Sequence, residues 1–219
     1  MDRRYNKIEF FQDKIIKWFN KYGRQFPWRS PTCTSYQIII SEVLLQRTKA
    51  ENVNRFYNNF LNVFPNWQIL ADENVIVIEE QLRPLGLQKQ RANRISSLAK
   101  FMVEHNGQLP CNREDLEKIP LMGQYIANAV ELLIFKRPMP LLDVNMSRVL
   151  ERFFGPRKLS DIRYDPYLQS LALKVIQHKS SKEMNWAILD FAALVCTARS
   201  PQCLSCILKM NCKYFMDLQ

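Results

Sequence analysis

One pattern recurs along the chain: apolar side chains return every three or four residues, in blocks that glycine or proline closes. Ile8, Phe11, Ile15, Ile16 and Phe19 share a helical face that ends at Asn20-Lys21-Tyr22-Gly23. Tyr36, Ile40, Val43 and Leu44, and then Val53, Phe56, Phe60 and Leu61, repeat it. The same period marks residues 67–72, 73–83, 89–105, 113–118, 123–136, 143–153, 166–178 and 183–196. Prolines 65, 84, 110, 120, 138, 140, 156 and 166 stand in the joints, and the five glycines lie near block ends, where helices stop. Only Val75-Ile76-Val77-Ile78 is ambiguous between helix and strand. The pattern predicts an all-α protein of about ten helices, without repeat, low-complexity tract or long linker.

With 219 residues, 47% hydrophobic and 24% charged, the chain can build one large core or two smaller ones, which excludes a disordered tail. No apolar run follows the basic Asp2-Arg3-Arg4 start, and no stretch approaches the ~18 apolar residues of a membrane span. A soluble, cytoplasmic monomer without membrane contact is expected. Lys plus Arg number 31 against 21 Asp plus Glu, a net charge of +10. Such an excess points to an anionic partner, nucleic acid above all, because each neutralised phosphate releases counterions. Charge alone does not separate DNA from RNA, and a solvated basic surface gives the same count.

Four of the six cysteines crowd the C-terminus as Cys196, Cys203, Cys206 and Cys212, a C-x6-C-x2-C-x5-C loop that Ser200-Pro201 opens. Four thiolates on a short turn-rich loop suit zinc, copper(I) or an iron–sulfur cluster. Zinc sites usually pair their cysteines in two C-x2-4-C knuckles, and here only one gap has that length, so the spacing favours a [4Fe-4S] cluster. Cys33 and Cys111 lie far apart in sequence and read as free thiols.

Between the blocks, Ile119-Pro120-Leu121-Met122-Gly123 joins a short helix to a long one that begins at Gln124-Tyr125. A helix–hairpin–helix turn of this kind aims backbone N–H groups at a phosphate and holds DNA without reading its sequence. It is also an ordinary helix corner. Twenty residues on, Asp143 opens an apolar helix in Leu142-Asp143-Val144-Asn145, which reads as an N-cap or as a carboxylate placed to face a sugar.

These segments resemble the helix–hairpin–helix DNA glycosylases with an iron–sulfur cluster, the endonuclease III and MutY superfamily. The resemblance rests on Gln124-Tyr125 after the hairpin glycine, the Leu142-Asp143-Val144-Asn145-Met146-Ser147-Arg148-Val149 string and the cysteine quartet. It extends to Phe26-Pro27-Trp28-Arg29, Ser41-Glu42-Val43-Leu44-Leu45-Gln46-Arg47-Thr48 and Leu189-Asp190-Phe191-Ala192-Ala193. It implies a two-lobed fold: a cluster-bearing helical domain of residues 1–23 plus 131–219, and a helical barrel domain of 24–130 that contains the hairpin. Tyr125 occupies the position that is lysine in strand-cleaving members and serine in MutY-type enzymes, and the thymine–guanine mismatch glycosylases, the Mig group, have tyrosine there. Leu87-Gln88-Lys89-Gln90-Arg91-Ala92 also resembles that group. In one departure, the family hairpin reads Leu-Pro-Gly-x-Gly, whereas Leu121 replaces the first glycine; a positive φ there would strain it.

The resemblance implies a monofunctional glycosylase that removes thymine or uracil opposite guanine from double-stranded DNA, without cleaving the strand. The alternatives are an adenine glycosylase of MutY type and a non-catalytic DNA-binding iron–sulfur protein. Asp143 is the implied stabiliser of positive charge on the sugar, with Glu42 and Tyr125 as pocket residues. Gln46 or Arg47, and Leu87 from the Gly86-Leu87-Gln88 turn, are implied to fill the gap left by an evicted base; Gln88, Gly123 and Gln124 are implied as further DNA-binding residues. The [4Fe-4S] cluster on Cys196, Cys203, Cys206 and Cys212 is implied to brace the C-terminal loop.

Overall fold

The structure, a computed structural model, describes residues 6–218; the Asp2-Arg3-Arg4 start lies outside them. The helices are α1 (Lys7–Tyr22), α2 (Ser35–Leu45), α3 (Ala50–Val63), α4 (Trp67–Asp72), α5 (Val75–Leu82), α6 (Gln88–Glu104), α7 (Arg113–Lys118), α8 (Gln124–Ala129), α9 (Val144–Phe154), α10 (Pro166–Ile176), α11 (Ser181–Leu194) and α12 (Lys213–Met216). The described residues contain no strand, as the all-α reading requires, and no helix long and apolar enough to cross a membrane. Polar side chains fix many helix starts. Thr34 and Gln37 form a reciprocal capping box at α2, and Asn66, Asn74, Asn112, Asp143 and Asp165 each accept a backbone N–H at the head of their helices.

Two segments depart from the sequence reading. The Val75–Ile78 run is helical: Ile76 is 64% exposed while Ile78 is fully buried, so the two do not share the face that strand alternation would give them. The long helix expected over 123–136 breaks after six residues into a π turn at Val130–Ile134. Arg113 of α7 spans this break. Its guanidinium donates to Asn128 Oδ1 at 2.8 Å, Glu131 Oε2 at 2.5 Å and the Gln124 carbonyl at 3.3 Å, tying the hairpin's two helices together.

The chain divides into two compact units, one running from Gln25 to Phe135 and the other combining the chain up to Arg24 with everything from Lys136 onward. The second boundary thus falls after the π turn, five residues beyond the 130 of the sequence reading. In the 25–135 unit, Ile40, Leu44, Phe60, Phe64, Leu70, Ile78, Ile95, Leu98 and Met102 are fully buried in one core. In the other unit α1 packs on α11, and α9 packs on α10, α11 and α12, around Phe11, Ile15, Leu150, Phe153 and Phe191. Each such side chain contributes about 1.5–3 kcal/mol on burial.

One ion pair inside the second unit ties α11 to the end of α1. Asp190, fully buried, accepts from the Arg24 backbone N–H at 2.8 Å and from Arg24 Nε at 2.9 Å, and Arg24 Nη2 lies 2.8 Å away. Removing one member of a buried pair leaves the other's desolvation uncompensated, so Arg24→Ala should cost about 3–5 kcal/mol. Urea unfolding measures it; an unchanged midpoint would contradict the role given to the pair.

Candidate active site

Within the 25–135 unit, three segments meet at a cleft of ≈ 320 Å³: the end of α2, the start of α6 and the hairpin. Gln46, Arg47, Leu87 and Leu121 line it, with Gln90 and Arg94 from α6. Three of these residues lie in the left-handed region without being glycine: Arg47 at φ 56°, Leu87 at 54° and Leu121 at 70°. Each costs roughly 1–2 kcal/mol of backbone strain, and such strain collects where surroundings over-determine a conformation, often at binding sites. Leu121 therefore does carry the positive φ that glycine would have taken without cost. Leu87 is half exposed and Arg47 is exposed, so both side chains are presented at the surface.

Glu42 lies one turn before the cleft on α2, buried to 4% exposure, which rules out a surface carboxylate. Gln88, half-buried, is the first residue of α6 and does not line the cleft. Tyr125 and Gln124 form the first turn of α8, both half-buried, and Tyr125 packs against the core. The hairpin spends two of its amides internally: Met122 N–H donates to the Ile119 carbonyl at 3.0 Å and Gly123 N–H to the Leu121 carbonyl at 2.9 Å. Gly123 has an ordinary φ of −63°, and a Cβ built there would meet nothing within 4 Å. Among the described residues no neighbour requires glycine at that position.

In the other unit, Asp143 caps α9. Its Oδ1 accepts the N–H groups of Asn145 at 2.9 Å and Met146 at 2.8 Å, and its Oδ2 accepts Asn145 Nδ2 at 2.7 Å. Burial pushes the carboxyl above its ordinary value, against the pull of these three hydrogen bonds and of nearby Arg148. A helix amino end and a desolvated carboxylate thus share two oxygen atoms. The N-cap reading and the charge-stabilising reading of Asp143 are compatible, because Oδ2 carries only one hydrogen bond and keeps a lone pair for a further contact.

From Asp143 a polar chain leads to the cysteine loop. Asn145 Oδ1 accepts Arg148 Nη1 at 3.1 Å, and Arg148 donates from Nε to the Cys196 carbonyl at 2.9 Å and from Nη2 to the Ala192 carbonyl at 3.0 Å. One turn on, Arg152 donates to the Thr197 and Ala198 carbonyls at 2.7 and 3.0 Å, and to Cys196 Sγ at 3.5 Å. The sequence reading had Arg148 only as a member of the Leu142–Val149 string and did not reach Arg152, and the contacts of both escaped it, since backbone carbonyl partners leave no mark in a sequence. The only available signal was the i, i+4 spacing of Arg148 and Arg152 on the face that Asp143 begins.

All four cysteines of the C-terminal loop line one cavity, walled by Phe153, Phe191, Leu208 and Phe215. Burial and mutual repulsion among the sulfurs raise Cys206 to about 11 and shift Cys203 and Cys212 upward. Leu208 N–H donates to Cys206 Sγ at 3.4 Å. Among the described residues, no three His, Cys, Asp or Glu side chains converge as ligands of a single ion. Among the described residues neither Cys33 nor Cys111 forms a disulfide, and Cys33 Sγ donates to the Pro27 carbonyl at 3.3 Å.

The chain was compared with known proteins. Residues 40–172 match the HhH-GPD superfamily of base excision DNA repair proteins. The thymine-DNA glycosylase of Aeropyrum pernix is 37% identical over 214 residues, covering 95% of this chain and 96% of that protein. The thymine/uracil-DNA glycosylase of Pyrobaculum aerophilum is 37% identical over 206 residues, covering 92% and 89%. An adenine DNA glycosylase of Mycobacterium tuberculosis is 29% identical over 194 residues, which cover 88% of this chain but 64% of that protein. The structure of a thermostable thymine-DNA glycosylase superposes with a TM-score of 0.89 over 99% of this chain and 100% of its own, at 29% identity. Hairpin, helix-capping aspartate and matched sequence agree, and the chain belongs to the HhH-GPD superfamily of base excision DNA repair proteins.

Proposed function

We propose that this protein is a monofunctional mismatch DNA glycosylase that hydrolyses the N-glycosidic bond of thymine or uracil opposite guanine in duplex DNA. The observation that carries the reading is Asp143, a desolvated carboxylate at the amino end of α9 with one lone pair of Oδ2 still open. Similarity to thymine-DNA glycosylases over nearly the whole chain supports the choice of base. The adenine reading has weaker support, because the adenine glycosylase is 29% identical to this chain against 37% for the thymine-DNA and thymine/uracil-DNA glycosylases.

A base inside the stack is out of reach of any carboxylate, so the nucleotide must leave the helix, and a wobble pair lowers that cost. Gln46 or Arg47, with Leu87, are the side chains assigned to the vacated space; the exposure of Arg47 and Leu87 supports this. As the glycosidic bond breaks, both of its electrons leave with the pyrimidine as an N1 anion, and the sugar gains oxocarbenium character. Ionised Asp143 stabilises that charge and orients a water, whose oxygen bonds to the sugar while one of its protons is released. Glu42 and Tyr125 are assigned to the evicted base, Glu42 as an acceptor for its N3–H. Strand cleavage would need an amine for a Schiff base, and Tyr125 supplies none at the position where strand-cleaving members carry lysine.

For the cysteine quartet we infer a [4Fe-4S] cluster. The four thiols share one cavity, and of the three gaps in the C-x6-C-x2-C-x5-C loop only one has the length of a zinc knuckle, which supports the larger centre. Hydrolysis transfers no electrons, so the group's part is to brace the loop that Arg148 and Arg152 hold.

The test is a panel of duplexes carrying single T·G, U·G, A·G and A·8-oxoG pairs, followed by alkali to reveal abasic sites. T·G and U·G should be converted, with no break before alkali and no adduct trapped by borohydride. Release of adenine alone would refute the substrate assignment. Asp143→Asn keeps an N-cap of equal quality and should retain stability and mismatch binding while excision falls at least about 100-fold; Asp143→Ala should in addition lose about 1 kcal/mol of stability. The purified protein should be brown, with iron and acid-labile sulfide in equal amounts; a colourless protein holding one zinc would overturn the cluster.

A further inference from the structure

Arg91, buried to 8% exposure, lines the cleft, and among the described residues its guanidinium is held by carbonyls and a hydroxyl. From the first turn of α6 its guanidinium reaches back to the end of α2. Nη1 donates to the Leu44 carbonyl at 3.1 Å, while Nη2 donates to the Gln46 carbonyl at 2.5 Å and to Thr48 Oγ1 at 2.6 Å. These contacts bracket Arg47, the left-handed residue between them, and the end of α2 has no glycine to close it. Helices leave their last carbonyls without intrahelical partners. Here a side chain from another helix satisfies them and holds a strained turn in one shape.

We infer that Arg91 is the positioning residue of the 44–48 turn. It fixes the directions from which Gln46 and Arg47 enter the cleft, and through them the eviction of the base. The inference rests on the role proposed above for Gln46 and Arg47. A planar fork is what the geometry demands, because two carbonyls and a hydroxyl are gripped by two nitrogens of one rigid group. Lysine keeps the charge but presents a single point. Loss of the fork lets the turn relax from its left-handed residue, and small misplacements of positioning groups cost large factors in rate.

Arg91→Lys separates position from charge. The probe is a duplex with 2′-fluorinated thymidine opposite guanine, which resists cleavage, and 2-aminopurine beside it, whose fluorescence rises when its neighbour unstacks. Wild-type protein should give that rise. Arg91→Lys should lose most of it and slow single-turnover excision of T·G by about tenfold or more at saturating enzyme, with matched-duplex affinity and its salt dependence unchanged. A merely structural role would lower the melting temperature and leave the fluorescence of the folded fraction as in wild type. Thr48→Val removes one arm with little change of volume; it should shift the signal in the same direction by less, and it carries the test if Arg91→Lys does not fold. A wild-type rise in the folded variants, or no rise with wild-type protein, overturns the inference. A wild-type rise without excision of T·G or U·G overturns the substrate reading instead and leaves the comparison of Arg91 variants intact.

Discussion

The capping of α9 by Asp143 is the contact on which the proposed chemistry depends, because it sets two opposed demands on one carboxylate. Burial favours the neutral acid, and an acid of that kind cannot stabilise positive charge. Two backbone N–H groups, the Asn145 amide and the Arg148 charge oppose that tendency and hold the ionised form within reach. The amino end of α9 also carries the positive end of its helix dipole. In the proposed site the helix therefore takes part, since its own unsatisfied donors oppose the upward shift that burial imposes on the carboxyl.

The basic excess of the chain takes on a second meaning in this structure. Several arginines have their guanidinium forks occupied inside the protein, among them Arg91 on the end of α2, Arg113 across the hairpin, and Arg148 and Arg152 on the loop that begins at Cys196. Arg91, Arg148 and Arg152 grip backbone carbonyls at helix ends or turns, and Arg113 grips mainly the Asn128, Glu131 and Glu117 side chains. Arg91, Arg148 and Arg152 have carbonyls, amides, hydroxyls or sulfur as hydrogen-bond partners, so their charge still adds to the field that a DNA phosphate would meet. Part of the +10 is thus structural in position and electrostatic in reach.

The helices were legible from apolar periodicity because burial on one face is what makes each of them stable. Val75–Ile78 shows the limit of composition: β-branched residues suggested a strand, yet Asn74 supplied a cap and Ile78 and Leu82 a buried helical face. The π turn at Val130–Ile134 was invisible, since the polar residues that hold it, Arg113, Asn128 and Glu131, are separated in sequence. Leu121 could be suspected of strain from its place in the hairpin, whereas Arg47 and Leu87 could not, because nothing local favours a left-handed arginine or leucine. Asp143 was legible as a candidate from its neighbours. Its hydrogen bonds and desolvation became visible only once α9 was placed, and the same holds for the arginine chain from Asn145 to Cys196.

The central claim is that Asp143 works as a carboxylate whose burial raises its affinity for protons. A single-turnover pH profile of excision, recorded in wild type and in Glu42→Gln to remove the other carboxylate assigned to the site, tests this directly. The sign follows from the raised value: the active form is the ionised one, so the rate should fall on acidification, with a midpoint above the ~4 of an ordinary aspartate. The limb should persist in Glu42→Gln. A rate that stays flat down to about pH 4, or a limb that disappears with Glu42, would contradict the account.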